Sequence, residues 1–351
     1  MSDRPTPLVS VVVPICNVEA FLDQCLDSIE GQTLRDLEII CLNDGSSDAS
    51  LDIVRRHAVR DNRIVVVDKE NEGYGATCNR GIQLARGTWV AIVEPDDWID
   101  AAMFADMVAF ADSFDAGVDV VKTPWFEVAF WDNPDTMAER PCRLHRRMKT
   151  SSRPFALEDA PMLLETHPAI WSCLYRREFL LERDVRFIPY PGAGWADNPF
   201  LIDSLASARI VYLDRAYYHY RLELPKQAGS ALSDERVAMP FERWMTMLDH
   251  MKERGLDSDK LLSAHCVRGF NYATLMGETV GWNHPVLLEH VRTMFSAMRG
   301  DLVLKHPMLS AKRKRFYFQV LGRPCPRIPR VGRMLYLMRE VAFRATAAFG
   351  D

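Results

Sequence analysis

Apolar, β-branched runs alternate with segments of helical spacing along the first 122 residues, and that alternation constrains the fold more than anything else in the chain. Residues 8–15 (LVSVVVPI), 37–42 (LEIICL), 64–67, 89–93 and 118–122 read as strands. Pro14 has no N–H for a ladder and is expected to mark where pairing of the first strand ends. Between the strands, Phe21, Leu22, Cys25, Leu26 and Ile29 recur at helical spacing and Gly31 stops that helix. Ser47 and Asp48 are expected to cap a helix through Leu51 and Val54. Further helices are expected over residues 76–85, closed by Gly87, and from about 100 to 114. Strand, helix, strand in repetition predicts parallel strands joined by right-handed crossovers. Continuously apolar strands predict a sheet covered on both faces. The expected class is α/β, with a mostly parallel sheet flanked by helices.

Such sheets bind ligands outside the carboxyl ends of their strands. Those ends are Asn17 and Glu19, then residues 43–46, then 71–75, then 94–97. They are rich in acids: Asp44 after the second strand, and Glu94, Asp96 and Asp97 after the fourth. Three carboxylates within four residues repel one another, and hard cations such as Mg²⁺ relieve that repulsion through oxygen ligands. The competing reading is a solvated acidic turn with Asp97 capping the next helix. Asp44, in Asn-Asp-Gly-Ser, suits either a nucleobase or ribose contact or an ordinary turn. Gly73-Tyr74-Gly75 follows a strand and opens a helix, but Cys78 stands where the third glycine of a dinucleotide fingerprint belongs. The chain has no GxxxxGK[ST], HExxH or GxSxG.

At 351 residues, 48% apolar and 26% charged, the composition excludes wholesale disorder. A net charge of -5 argues against a dedicated nucleic-acid binder. No uncharged apolar run approaches the roughly 20 residues of a spanning helix, and the N-terminus lacks a signal-peptide pattern. A cytoplasmic protein is expected. No two of the eight cysteines have metal-knuckle or redox-pair spacing, so reduced, mostly buried thiols are expected. Residues 302–351 carry eleven Lys or Arg against two acids, Glu340 and Asp351. An acidic body with a basic tail points to a partner for the tail.

The stretches VSVVVPICNVEAFLDQCLDSIEGQT, LEIICLNDGSSDAS and NEGYGATCNRGIQLARGTWVAIVEPDDW resemble, in order and spacing over about residues 8–100, the nucleotide-sugar-binding half of family 2 glycosyltransferases. These have the GT-A fold. The resemblance implies that Pro14, Asn17, Glu19 and Asp44 hold the nucleoside and that Asn71 to Gly73 lie beside the base. It implies a DxD-type turn for metal and diphosphate. Here Glu94 takes the first position, Asp96 the second, and Asp97 follows. The metal, Mg²⁺ or Mn²⁺, is therefore assigned to Asp96, with Glu94 and Asp97 on the nucleotide-sugar side. In the segment PGAGWADNPF, Asp197 and Phe200 match the family's Glu-Asp-x-x-Phe, with Ala196 replacing Glu, which makes Asp197 the expected catalytic base. Trp171, Tyr175 and Trp195 offer flat faces for a sugar; for Trp171 and Tyr175 the alternative is core packing. Arg221 or Lys226 would meet the diphosphate or form surface ion pairs.

The resemblance thus implies an inverting, metal-dependent transferase. It would move sugar from a nucleotide-diphosphate sugar, UDP by default, to a hydroxyl of a glycan or lipid-linked acceptor. A catalytically silent sugar-nucleotide-binding subunit and a nucleotidyltransferase are the rivals. Residues 1–235 would form the GT-A domain, its nucleotide-sugar half at about 1–122 and its acceptor half at about 123–235. Residues 122–165 read as irregular. Residues 236–351 would form a helical, basic extension. Helical spacing there joins Phe241, Trp244, Met245, Leu248 and Met251, and Pro285 suits a first helical position. Lys312 to Arg315 precede Phe316-Tyr317-Phe318, and Arg330 and Arg333 flank Val331, Met334, Leu335 and Leu337. Basic residues beside apolar ones suit an anionic membrane surface at the inner face of the cell membrane. The alternative is a helix packed on the protein.

Overall fold

The computed structural model describes residues 6–192, 194–222 and 232–328. It divides into two compact units, Met1–Ala160 with Pro168–Ser230, and Pro161–His167 with Ala231–Asp351. The first unit runs β1 (Val9–Ile15), α1 (Glu19–Glu30), β2 (Leu37–Asp44), α2 (Ser50–Arg60), β3 (Ile64–Lys69), α3 (Tyr74–Leu84), β4 (Trp89–Ile92), β5 (Trp98–Ile99) and α4 (Met103–Asp112). It continues with β6 (Val120–Lys122), β7 (Trp125–Ala129), β8 (Ala138–Pro141), β9 (Cys173–Arg176), α5 (Arg177–Glu182), α6 (Asp197–Leu205), β10 (Ile210–Tyr212) and β11 (Tyr218–Arg221).

A seven-stranded sheet has the order β10-β6-β9-β4-β1-β2-β3. Strands β1, β2, β3 and β4 pair in parallel, as do β6 and β10. All residues of β1 and β2 are buried, as continuous β-branched runs under two helical layers require. The sheet is therefore the mostly parallel one the alternation predicts, with one departure. Strand β9 lies antiparallel between β4 and β6; its four residues are too few to show a period.

Other boundaries differ for local reasons. Pro14 lies inside the pairing with β2, opposite Leu42, while pairing with β4 stops at Val12. The missing N–H thus matters on one side only. Helix α4 starts at Met103 rather than near residue 100, because Trp98–Ile99 pair with β11 and the Asp100 N–H donates to Tyr217 O at 2.8 Å. Within residues 122–165, two strands join a second sheet of order β5-β11-β7-β8. All eight cysteines are free; Cys16 and Cys325 are exposed and six are buried.

The second unit holds α7 (Asp234–Glu253), α8 (Asp259–Val280), α9 (Pro285–Ala297), α10 (Gly300–Lys305) and α11 (Ala311–Val320). Phe241, Trp244, Leu248 and Met251 are buried on one face of α7 with Phe270, Val291, Phe295 and Tyr317 from the other helices. Ser233, Ser258 and Ser310 cap α7, α8 and α11. Arg268 is 1% exposed, and its guanidinium satisfies Leu164 O and Thr166 O, each at 2.7 Å. Among the described residues no helix is long and apolar enough to cross a membrane.

Candidate active site at the strand ends

The ends of β1 and β2 are laced together. Asn17, at φ 53°, accepts the Ser47 N–H on Oδ1 at 2.8 Å and gives its own N–H to Ser46 Oγ at 3.1 Å. Glu19 Oε2 accepts the Ala49 N–H at 2.7 Å, while the Glu19 N–H donates to Asp48 Oδ2 at 3.0 Å. Both Asn17 and Glu19 are exposed, and Pro14 is buried beneath them. Two sequence-predicted contacts therefore also build the loop wall from which they project.

Asp44 is 3% exposed at the end of β2. It pairs with Lys69 and accepts the N–H groups of Glu72 at 2.8 Å and Gly73 at 3.0 Å. Burial works against its charge, but Lys69 and those N–H donors outweigh it and hold the carboxyl below its usual range. Asp44 thus fixes the Asn71–Gly73 loop, whose Asn71 side chain donates to Asp44 O at 2.9 Å. Gly73 sits at φ 89°, and a Cβ there would lie 2.8 Å from Tyr190 O. This glycine is needed for close approach of backbone to backbone.

The acid turn after β4 separates its three carboxylates by environment. Asp96 is exposed, Glu94 half-buried and Asp97 1% exposed. Burial first, and then the like charges of Asp96 and Asp197, push the Glu94 carboxyl up to about 8, although Tyr74 opposes this by donating its hydroxyl to Glu94 Oε1 at 2.5 Å. Burial and Asp96 push Asp97 well above the carboxylate range. The Tyr218 hydroxyl donates to Asp97 Oδ2 and accepts the Glu94 N–H, both at 3.0 Å, and the Arg221 N–H donates to Asp97 Oδ1 at 2.8 Å. Asp97 therefore ties the turn to β11. The expectation that it faces the nucleotide sugar is corrected, because its oxygens are buried and engaged.

Asp197 opens α6 and is half-buried, taking the Asn198 side-chain N–H on Oδ1 at 3.1 Å. It lies within electrostatic range of Glu94 and adds to the rise of that carboxyl, although the two acids are 103 positions apart in sequence. Trp195, half-buried, holds φ 60° two residues earlier. That is a strained conformation for a bulky side chain. Trp171 and Tyr175 do not join this site. Trp171 is 3% exposed, stacked on Tyr218 at 4.1 Å and edge-on to Trp125 at 5.5 Å. Tyr175 is 1% exposed and donates its hydroxyl to Ile170 O at 2.9 Å. Both are core aromatics, so the sugar-stacking expectation is corrected: other rings and backbone occupy their surroundings.

Arg221 donates to Asp96 O and Gln24 Oε1. Its guanidinium lies over Trp98 at 4.5 Å and Phe21 at 5.1 Å, a cation–π enclosure beside the acid turn. Lys226 lies outside the described residues.

The donor chemistry at the turn suits a hard divalent cation, since Asp96 offers exposed carboxylate oxygen beside two further acids. Mg²⁺ commonly takes one or two protein carboxylates and completes its shell with phosphate and water. Among the described residues, three ligand-type side chains with donor atoms within 4.8 Å of one another occur elsewhere, at Asp27, Glu30 and His57. There Arg60 lies 2.9 Å from His57 Nδ1 and Arg56 pairs with Asp23. Of these acids, Asp27 has Arg60 at 3.6 Å and Glu30 pairs with His57.

Sequence reasoning missed Tyr74, Tyr218 and Lys69 as organisers of the site. Tyr74 lies inside the quoted Gly-Tyr-Gly, and Tyr218 lies three residues before Arg221. Their positions in sequence were visible, but their partners were not.

The description "Glycosyl transferase family 2" matches residues 10–182. An uncharacterized glycosyltransferase, EpsJ of Bacillus subtilis, is 34% identical over 259 residues, covering 70% of each chain. Residues 1–349 of S. aureus TarS, solved in complex with UDP, superpose with a TM-score of 0.68 at 20% identity, over 90% of this chain and 87% of that one. The mannosyltransferase PcManGT of Pyrobaculum calidifontis, solved with GDP-Man and Mn²⁺, gives a TM-score of 0.51 at 17% identity, over 90% and 86%. The shared sheet, the acids at its strand ends and these likenesses agree, and the chain belongs to glycosyltransferase family 2, as a glycosyltransferase with the GT-A fold.

Proposed function

We propose that the protein moves a sugar, with inversion, from a nucleotide-diphosphate sugar, UDP by default, to a hydroxyl of a glycan or lipid-linked acceptor. One observation carries this reading: the segment leading to Asp197 packs against the loop that Asp44 fixes, where a Cβ at Gly73 would lie 2.8 Å from Tyr190 O, and Asp197 lies within electrostatic range of Glu94. UDP bound to TarS and GDP-Man bound to PcManGT, on the same fold, support a nucleoside diphosphate as leaving group.

In this reading Asn17, Glu19 and the Asn71–Gly73 loop hold the nucleoside, with Asp44 fixing the loop. Asp96 holds Mg²⁺ or Mn²⁺, which when bound neutralises charge on the departing diphosphate as a Lewis acid; Mn²⁺ in the PcManGT complex supports this. Asp197 takes the proton of the acceptor hydroxyl. The hydroxyl oxygen bonds to the anomeric carbon from one face while the bond to phosphate breaks on the other, and its electron pair leaves with the nucleoside diphosphate. A single displacement inverts that carbon. Trp195, half-buried two residues before the base, would face the acceptor sugar.

The test is nucleotide release from a panel of donors, with and without acceptor. Asp197→Asn should lower turnover about 10²-fold or more and leave the donor dissociation constant within a few fold. Wild-type turnover in that variant would remove Asp197 as base. If the unmodified protein binds a donor but releases no nucleotide from any, the silent binding subunit, permitted by Glu94 and Ala196, replaces the enzyme reading of this site.

A peripheral membrane contact rests on α11 and its neighbours. Lys312 and Arg315 are exposed, beside half-buried Phe316 and the 39% exposed Trp282. The other two basic residues of the run are internal: Lys314 donates to Leu304 O at 2.6 Å, and Arg313 donates to Asn271 Oδ1 at 3.1 Å. Arg330, Arg333 and the apolar residues around them lie outside the described residues. The expected outcome is co-sedimentation with phosphatidylglycerol vesicles and not with phosphatidylcholine vesicles, reduced by Lys312→Glu with Arg315→Glu. Equal pelleting with both lipids, or none, refutes the contact.

A further inference from the structure

Tyr74 is used by neither the nucleoside nor the base in the reading above, yet three parts of the site meet on the turn that carries it. Its hydroxyl donates to Glu94 Oε1. Its N–H donates to Gly192 O at 3.2 Å. The preceding N–H, that of Gly73, ends on Asp44. Donor-side loop, acid turn and the segment running toward Asp197 are therefore all tethered to the first turn of α3.

The grip on that last segment is close and repeated. A Cβ at Gly75 would lie 2.5 Å from Ile188 O, so this turn and the segment touch backbone to backbone. One turn further along α3, Asn79 takes both polar groups of Phe187: its Nδ2 donates to Phe187 O at 2.8 Å, and its Oδ1 accepts the Phe187 N–H at 2.9 Å. The Phe187 ring meets the Tyr74 ring edge-on at 5.7 Å and lies flat on Phe200 of α6 at 3.9 Å. Asp197 is the first residue of that same helix. A displacement of the α3 turn is thus transmitted through packed groups to the helix that carries the base, and through one hydroxyl to Glu94.

We propose that Tyr74 is a positioning residue for sugar transfer: its hydroxyl fixes the Glu94 carboxylate, and the turn around it sets where the Asp197 helix stands. The inference rests on the reading of Asp197 as base, and its two arms can be moved separately. Tyr74→Phe keeps the ring and removes only the bond to Glu94. Gly75→Ala keeps that hydroxyl and pushes on Ile188. The variants are compared with the wild-type chain by initial rates against the donor that chain turns over, and by amide hydrogen exchange of the ligand-free protein.

For Tyr74→Phe, kcat/KM for the donor should fall about tenfold, the upper end of what one hydrogen bond is worth, with acceptor KM and exchange over residues 187–197 unchanged. A purely structural tyrosine would not split donor from acceptor parameters. For Gly75→Ala, exchange over residues 187–197 should speed up at least tenfold and kcat should fall, with UDP binding unchanged. Should that variant not fold, Asn79→Ala, which removes only the two bonds to Phe187, gives the same exchange readout. Donor kinetics within twofold of wild type in Tyr74→Phe, or wild-type exchange in Gly75→Ala, overturns the proposal. Failure of the base reading looks different: Asp197→Asn would keep its turnover, whereas the exchange result needs no turnover at all.

Discussion

Asp44 and Asp97 each end or follow a strand at the same edge, and their surroundings drive them in opposite electrostatic directions. Asp44 has Lys69 and two N–H donors, so it stays charged and organises the donor-side loop. Asp97 has burial and the charge of Asp96 against it, and is pushed up. Sequence placed both among the binding residues because both follow a strand; both are nearly buried, and what separates them is the partner the fold supplies, Lys69 for Asp44 and the Tyr218 hydroxyl, more than a hundred positions away, for Asp97. Asp119 makes the general point testable. It is 4% exposed, and burial opposes its charge, but Arg209 and Arg176 outweigh that and hold its carboxyl at about 2. An unfolded Asp titrates near 3.9. The group therefore contributes stability fully above about pH 4, and the contribution is lost as pH falls toward 2. Asp119→Ala should cost about 1–3 kcal/mol at pH 7, since it removes the buried carboxylate that Arg176 and Arg209 share. Its stability should also fall less steeply than wild type between pH 4 and 2, as read by urea unfolding. Equal acid limbs in the two proteins would contradict the assignment.

Among the elements, α11 and α3 show what a one-dimensional pattern conveys and what it omits. The run Lys312 to Arg315 looks like one charged surface, but a helix turns about 100° per residue and spreads four consecutive side chains around its axis. Lys314 is 6% exposed and donates to Leu304 O, whereas Lys312 points its charge to solvent. Lys314→Ala should lower the stability of the helical unit by about 1–2 kcal/mol, leaving a buried carbonyl without its donor. Lys312→Ala should change it by less than about 0.5 kcal/mol. Thermal unfolding of the two variants checks the difference, and equal shifts would sink it. At the start of α3, Gly73 and Gly75 make room for the segment before Asp197, the backbone contact a side chain would block. Gly73→Ala, strained at φ 89° as well as crowded, should reduce transfer and stability together.

At the scale of the molecule, each unit has its own buried core, and the helical one carries its own acid-sensitive group. His265 is 1% exposed, with burial and then Arg268 pulling its imidazole down to about 3. Its Nε2 meets Trp244 O at 3.1 Å and its ring stacks on Trp244 at 4.2 Å. An unfolded histidine titrates near 6.5. The neutral native form therefore contributes fully above about pH 6.5, and stability is lost as pH falls from there toward 3. Replacing His265 with Leu should flatten the decline between pH 6.5 and 4 in urea unfolding; an unchanged slope would contradict it. Residues 1–122 were legible because strand and helix periods, turn glycines and clustered acids are local properties. They determined a mostly parallel sheet, the acids at its strand ends and a family resemblance. Tertiary structure alone decided that β9 enters the sheet antiparallel, that Trp171 and Tyr175 are core, that Asp97 is closed in, and that Tyr74 joins Glu94 to the segment leading to Asp197. The physical reason is the same in each case: period and propensity are set by near neighbours in sequence, whereas burial and the charge a carboxyl carries are set by whatever the fold brings against it.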